Sequence, residues 1–379
     1  MQIVASPREI VVVGAGIVGC AIAYELARRG ASVVIADDRA PGMGATQASA
    51  GVLAPFIEAR DEGPLLGLTA RSLGLFDEFI SRVRSDSQCA VAYQRTGTLE
   101  VALDADSFAI LQKTHDRLSA RRLEANLLDG AAVRQCEPHL SASAVGGLLI
   151  PTHGFVIASE LIRALAAGAQ RMGATFLDQG RVTGVTRDGN GLRVHSAGTN
   201  QKAVRADAVI LAAGSWAGAV SIEGVSNPVP VRPIRGQLLH LQWSGGQQLR
   251  RILWSERCYI VPWQNGTVLV GATEEDAGFD ERTTLAGIQD LIGAACDLVP
   301  HAWTASLLAA KVGLRPGTPD HIPIIGWSRA LPNVMYATGH YRNGILLAPL
   351  TAELVANAVL EGRIDPLLEL TRPQRFGEL

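Results

Sequence analysis

The feature that most constrains this chain is the run Ile10-Val-Val-Val-Gly14-Ala-Gly16-Ile-Val-Gly19-Cys-Ala-Ile-Ala-Tyr-Glu-Leu-Ala-Arg-Arg-Gly30. Apolar residues feed directly into three glycines and a helical pattern follows, which predicts a buried strand, a tight turn and a helix start. In such a turn Gly14 permits the reversal, Gly16 lets the backbone approach a pyrophosphate, and Gly19 allows close helix–strand packing. The first N–H groups of the helix, at the positive end of its dipole, favour an anion. A second strand, Ala31 to Ala36, ends in Asp37 and Asp38. Asp37 stands about 20 residues beyond the turn, where an acid can hold a ribose hydroxyl. Together these features predict a dinucleotide site.

Bulk properties narrow the class. The 379 residues allow two domains, and 47% hydrophobic against 18% charged residues describes a well-buried globular chain. A formal charge of −2 argues against nucleic acid as a partner, because phosphate binding needs concentrated Lys and Arg. Cys20, Cys89, Cys136, Cys258 and Cys296 are scattered, which fits a reducing cytoplasm and offers no zinc motif and no CxxC pair. The apolar start lacks a basic leader region, and no segment approaches 18 uninterrupted apolar residues, so no membrane span is expected.

Further along, Arg39 to Ala54 is a loop of small and hydroxylated residues suited to lie against a flat ligand. Leu65 to Arg84 reads as a helix, Gln94 to Leu103 as a hairpin turn into a strand, and Ala105 to Leu123 as a charged helix. Ser159 is placed to cap a helix that Gly173 stops. Asp188-Gly-Asn-Gly191 is the strongest local turn signal, closing a hairpin. The strand Ala208 to Ala212 ends in Gly214-Ser-Trp216, where a glycine again permits close approach. Strands at 236–242, 258–263 and 267–271, then a helix from Leu285 to Leu298, suggest an antiparallel sheet with a helix over one face. After the strand Val334 to Ala337 comes a final helix to Glu361, with Pro349 placing its regular part near Leu347. Arg372 to Leu379 is expected to be a loose tail.

Only one phosphate fingerprint exists, and no cysteine pair. If the dinucleotide is FAD, its electrons must therefore come from the substrate itself. Oxidation of a C–H beside nitrogen or oxygen is the natural reaction, with the protein supplying orientation and electrostatics. Arg315 in Gly-Leu-Arg-Pro-Gly, Arg342 in Gly-His-Tyr-Arg-Asn-Gly and Tyr259 in Cys-Tyr-Ile-Val-Pro could hold the carboxylate of an amino acid. Each arginine alone could equally be a surface ion pair, and Tyr259 alone a core aromatic.

These segments, with Val270-Gly-Ala-Thr and the opening Gly14-Ala-Gly-Ile-Val-Gly-Cys, closely resemble the glycine oxidase (ThiO-like) branch of the D-amino-acid oxidase group of flavoproteins. The resemblance runs through the whole chain in order. It implies an α/β fold: an FAD-binding Rossmann-like domain (doubly wound, mostly parallel sheet) from 1–88, 145–226 and 308–379. A second, discontinuous α+β substrate domain on an antiparallel sheet would come from 89–144 and 227–307. It implies that Arg315 binds the substrate carboxylate with Tyr259 and that Arg342 completes the pocket. The backbone of His340, Tyr341, Arg342, Asn343, Gly344, Ile345 and Leu346 would contact the flavin ring. Ile17, Val18, Asp37, Asp38, Ala45, Thr46, Ala50, Gly51 and Val52 would line FAD, with the Val182 backbone near the adenine. Two departures stand out: Arg257, where some relatives carry histidine, and Glu274, where at least one branch is apolar. A carboxylate there could repel a substrate carboxylate or attract an amine. With no cysteine after Cys296, FAD is expected to be bound non-covalently.

The expected function is oxidation of glycine, sarcosine or another small amino acid, with dioxygen as second substrate, and a role supplying the thiazole of thiamine. The cofactor-site residues are thus Gly14, Gly16, Gly19 and Gly214 with those above. No metal, nucleic acid or membrane partner is expected, and the enzyme is expected to be a cytoplasmic homo-oligomer. The rivals are a D-amino-acid or proline dehydrogenase feeding a quinone, and a nucleotide-binding regulatory protein without turnover.

Overall fold

The computed structural model describes residues 9–58, 63–178, 180–197, 203–244, 246, 248–263 and 265–379. The opening strand, Glu9–Val13, sits inside a six-stranded sheet. Its strands run Ile324–Trp327, Val334–Thr338, Ala208–Leu211, Glu9–Val13, Ser32–Asp37 and Thr175–Asp178 across the sheet. All pairings are parallel except that of the edge strand Ile324–Trp327. Parallel strands are buried on both faces, and alternate residues divide between two cores. Ile10, Val12, Val33 and Ile35 pack under the helices Ile17–Arg28, Leu65–Ser87, Ala158–Arg171 and Gly344–Glu361. Val11, Val13 and Val34 pack against Val185, Leu192 and Val194 of a separate four-stranded sheet.

A second, eight-stranded sheet builds the rest. Its order is Ser306–Gly317, Arg232–Gln242, Thr267–Gly271, Tyr259–Pro262, Ile252–Trp254, Thr98–Ala102, Gly146–Ile150 and Asn126–Asp129. It is antiparallel except where Ile252–Trp254 meets Thr98–Ala102. Helix Leu285–Leu298 covers one face, burying Leu291, Ala295 and Leu298 against Leu239, Ile260 and Val270. Thr284 caps that helix by accepting from the Gly287 N–H.

Several local expectations are corrected. Tyr93–Gln94 and Thr98–Ala102 lie in different sheets, so they form no hairpin with each other. Gly146–Ile150 and Ser306–Gly317 both belong to the long antiparallel sheet; the first falls within a segment expected to serve the nucleotide domain, and the second straddles the expected boundary at 307/308. Ser159 lies inside helix Ala158–Arg171, whose cap position is Ile157 without a side-chain bond. The last long helix starts at Gly344 rather than near Leu347. Pro349 deletes only one donor close to the helix start, and the Leu347 N–H already closes the first turn on the Asn343 carbonyl at 2.7 Å. The C-terminal stretch is docked rather than loose. Leu379 is buried, its carbonyl accepts from the Arg329 N–H at 2.7 Å, and Arg375 pairs with Asp320 at 2.8 Å. Helix Gly344–Glu361 is long and apolar enough to cross a membrane, but it is mostly buried in this core, which accounts for its apolarity.

Candidate active site

The glycine turn divides its labour as the spacing suggests. Gly14 has φ +107°, and a Cβ there would lie 2.4 Å from the Ala212 carbonyl oxygen. A Cβ on Gly19 would lie 1.9 Å from the Gly14 carbonyl oxygen, so Gly19 is a packing residue behind the site. Gly16 differs from both. Its backbone is ordinary extended chain, and a Cβ there meets nothing closer than Thr46 Oγ1 at 4.0 Å. The free space beside Gly16 opens into a cavity. Helix Ile17–Arg28 has no side-chain cap of its own, and the Ile17 N–H donates to Thr46 Oγ1 at 3.1 Å. Asp37 braces the turn, accepting from the Ala15 N–H at 2.6 Å and the Arg39 N–H at 2.8 Å. Burial lifts its carboxyl above the usual range against those two donors.

From this turn a cavity of about 480 Å3 runs to the antiparallel sheet, within the range of small-molecule and cofactor sites. It is lined by Gly14, Gly16, Ile17, Val18, Asp37, Asp38, Ala45, Thr46, Ala50, Gly51, Val52, Val182 and Gly214. Gly51, at φ +71°, is obligatory, since a Cβ would meet the Val156 carbonyl oxygen at 1.7 Å. The cavity is also lined by His340, Tyr341, Arg342, Asn343, Gly344, Ile345 and Leu346, with Gly344 close to the glycine turn, since a Cβ on it would lie 3.8 Å from Ile17 Cγ2. Asn343 does not cap helix Gly344–Glu361 with its side chain, and the helix start, Gly344 to Leu346, lines the cavity. Burial pushes the His340 imidazole down to about 3, keeping it neutral, and its Nε2 bonds Thr351 Oγ1 at 3.1 Å.

Tyr259, Arg315 and Arg342 all line this cavity as well. Tyr259 lies across Gly271 on the neighbouring strand, where a Cβ would be 2.5 Å from its hydroxyl oxygen. Trp254 packs on its ring at 5.1 Å. Arg315 lies flat over Gly236, where a Cβ would be 2.4 Å from both terminal nitrogens. Its Nη1 donates to the Thr273 carbonyl at 2.9 Å.

The two arginines are not equivalent. Glu274 accepts from Arg342 Nη2 with one oxygen and from the Tyr341 hydroxyl with the other. Burial alone would raise the Glu274 carboxyl, but Tyr341 and Arg342 outweigh it and hold it below the usual carboxylate range. Arg257 also lines the cavity and pairs with Asp297 at 2.6 Å in an exposed bridge. Of the five cysteines only Cys258 lines the cavity; burial pushes its thiol up to about 11, which disfavours the reactive thiolate.

Sequence reasoning did not name Arg181 and Trp216 as site residues. Arg181 pairs with Asp38 at 3.1 Å at the nucleotide end. Trp216 lies under the Arg39 guanidinium at 4.5 Å, and Arg39 pairs with Glu281 at 2.9 Å. These contacts join residues far apart in the chain, so no local pattern signals them. The site fits an elongated anionic dinucleotide with a planar end: an open glycine at one helix start, a braced acid, and a second helix start close by in the same cavity.

Comparison with known proteins agrees with this geometry. Residues 9–358 match the family described as FAD dependent oxidoreductase. The chain is 37% identical over 95% of its length to the bifunctional protein ThiO/ThiG of Nostoc sp. strain PCC 7120. It spans only about half, 54%, of that relative's length. It is 31% identical to the glycine oxidase of Geobacillus kaustophilus, covering 93% of this chain and 92% of that one. The crystal structure of glycine oxidase from that organism superposes with a TM-score of 0.91 at 29% identity, covering 98% and 99% of the two chains. The chain therefore belongs to the FAD-dependent oxidoreductases, in the branch that holds the glycine oxidases.

Proposed function

We propose that this protein oxidises glycine, sarcosine or a similarly small amino acid to an imine that hydrolyses to a 2-oxo acid and ammonia or amine. The observation that carries the reading is the placement of Arg315 and Tyr259 on one sheet, facing the cavity wall made by the start of helix Gly344–Glu361. FAD, when bound, supplies the hydride acceptor at N5 and passes the electrons to dioxygen, giving hydrogen peroxide.

The chain's own residues bind and orient. Arg315, held by the Thr273 carbonyl and the flat face over Gly236, presents its guanidinium fork to the substrate carboxylate. Tyr259 adds a phenol to the same carboxylate. No side-chain base is needed, since a neutral amine already carries the electron pair that drives hydride loss. Trp254 and Tyr341 also line the cavity. The match to ThiO-type relatives supports a role in making the thiamine thiazole.

A peroxide-coupled screen of glycine, sarcosine, N-alkylglycines and D-alanine tests the proposal. Peroxide from one or more of the small amines is expected. Flavin reduction by an amine without peroxide would instead assign a dehydrogenase, and no reduction by any amine would overturn the reading.

A further inference from the structure

Five charged residues line the substrate end of the cavity: Glu256, Arg257, Glu274, Arg315 and Arg342. Glu256 and Arg257 are exposed, with Arg257 paired to Asp297, and Glu274 and Arg342 are themselves partly exposed, at 47% and 38% of their side chains. Of these residues, Glu274 interacts electrostatically with both Arg342 and Arg315. Glu274 spends both carboxylate oxygens on Tyr341 and Arg342, so that pair carries no net charge. Arg315 alone is left to face a carboxylate.

Glu274 is held in place from both sides. The preceding carbonyl, of Thr273, is bonded to Arg315 itself at 2.9 Å. The following residue, Glu275, exchanges two backbone hydrogen bonds with Arg235, both 2.9 Å. The Glu275 carboxylate accepts from Arg235 at 2.6 Å, Gln237 at 2.7 Å and Thr273 Oγ1 at 2.6 Å. Arg235 is 7% exposed and also pairs with Asp280 at 3.0 Å. The backbone is therefore anchored one residue before and one residue after Glu274, which sets that residue down beside Tyr341 and Arg342.

Building on the proposed amino-acid oxidation, we infer that Glu274 determines substrate charge. It occupies Arg342 so that the pocket takes one carboxylate, on Arg315, and rejects substrates bearing a second anionic group. The neutral pair offers a second carboxylate no attraction to offset its desolvation, whereas an Arg342 guanidinium without the Glu274 charge beside it would attract one. Iminodiacetate is the direct probe, being glycine with a second carboxymethyl group on nitrogen.

Glu274→Gln keeps the shape and the Tyr341 contact while removing the charge. It is expected to raise the ratio of kcat/KM for iminodiacetate over glycine at least tenfold, and Glu274→Gln/Arg342→Gln is expected to lose that gain. A ratio within twofold of wild type, or a gain that survives in the double variant, overturns the inference. Glu274→Met provides the same comparison should the glutamine variant fold poorly. Binding is read separately, by perturbation of the flavin spectrum with malonate and glycolate. Malonate should tighten at least tenfold relative to glycolate in Glu274→Gln, and an unchanged ratio counts against the inference. Because this titration needs no turnover, it still decides the matter if no amine reduces the flavin and the proposed reaction fails.

Discussion

Gly16 and Gly19 belong to one motif, yet the structure gives them opposite reasons to be glycine. At Gly16 the backbone angles suit any residue, and an added methyl would meet no protein atom nearer than 4.0 Å. Gly16→Ala should leave the apoprotein as stable as before or slightly more so, since losing glycine's freedom in the unfolded chain is worth about 0.4–1 kcal/mol. The methyl instead occupies the space a pyrophosphate needs. Losing one or two hydrogen bonds to a charged group costs about 1.5–3 kcal/mol each, so FAD affinity should fall at least tenfold. At Gly19 the methyl would stand 1.9 Å from a backbone oxygen, and helix Ile17–Arg28 must shift. Overpacking of this kind costs about 1–3 kcal/mol. Urea unfolding of the two apoproteins, with FAD titrations followed by flavin fluorescence, separates the two effects. Wild-type FAD affinity in Gly16→Ala, or equal destabilisation by both substitutions, would refute the reasoning.

Two further outcomes follow from the packing. His153 and His340 are buried and held neutral, each with its imidazole pushed down to about 3 from an ordinary 6.5. As the pH falls below 6.5 the unfolded chain takes up protons that the folded chain refuses, so each histidine should cost about 2 kcal/mol between pH 7 and pH 5. His153→Gln should remove its share of that pH dependence in urea unfolding, and an unchanged dependence would contradict the assignment. Gly236→Ala should push the Arg315 guanidinium off its seat and raise KM for the amino acid more than tenfold while FAD affinity stays within twofold; unaltered KM would count against that seat.

Where pattern and period were strong, the sequence was readable in detail. Thr267–Gly271 and Leu285–Leu298 lie where expected, and the Asp188-Gly-Asn-Gly191 turn closes its hairpin with Asp188 opposite Gly191. Each of these is specified by its own residues. Sheet membership was not readable, because Gly146–Ile150 and Ser306–Gly317 find partners remote in sequence. Pro349 misled by its general preference for a first turn, which one lost hydrogen bond does not enforce. At the site, the motif residues converge on one cavity, but two clamping arginines were expected and Glu274 engages one of them. Glu274 was noticed as unusual. Its partners, Tyr341 and Arg342, come from another segment of the chain, and no spacing rule connects them.

The central claim is that Arg315 holds an amino acid where the flavin can oxidise it. Anaerobic mixing of the FAD-loaded protein with glycine or sarcosine, followed at the flavin absorbance band, tests it most directly in wild type and Arg315→Ala. Removing the charged partner of a bound carboxylate costs about 2–5 kcal/mol. The account predicts bleaching in the wild type, and in the variant a shift of more than tenfold in the amine concentration required, with FAD still bound. Bleaching that is indifferent to Arg315, or a wild-type flavin that stays oxidised with every small amino acid, would contradict it.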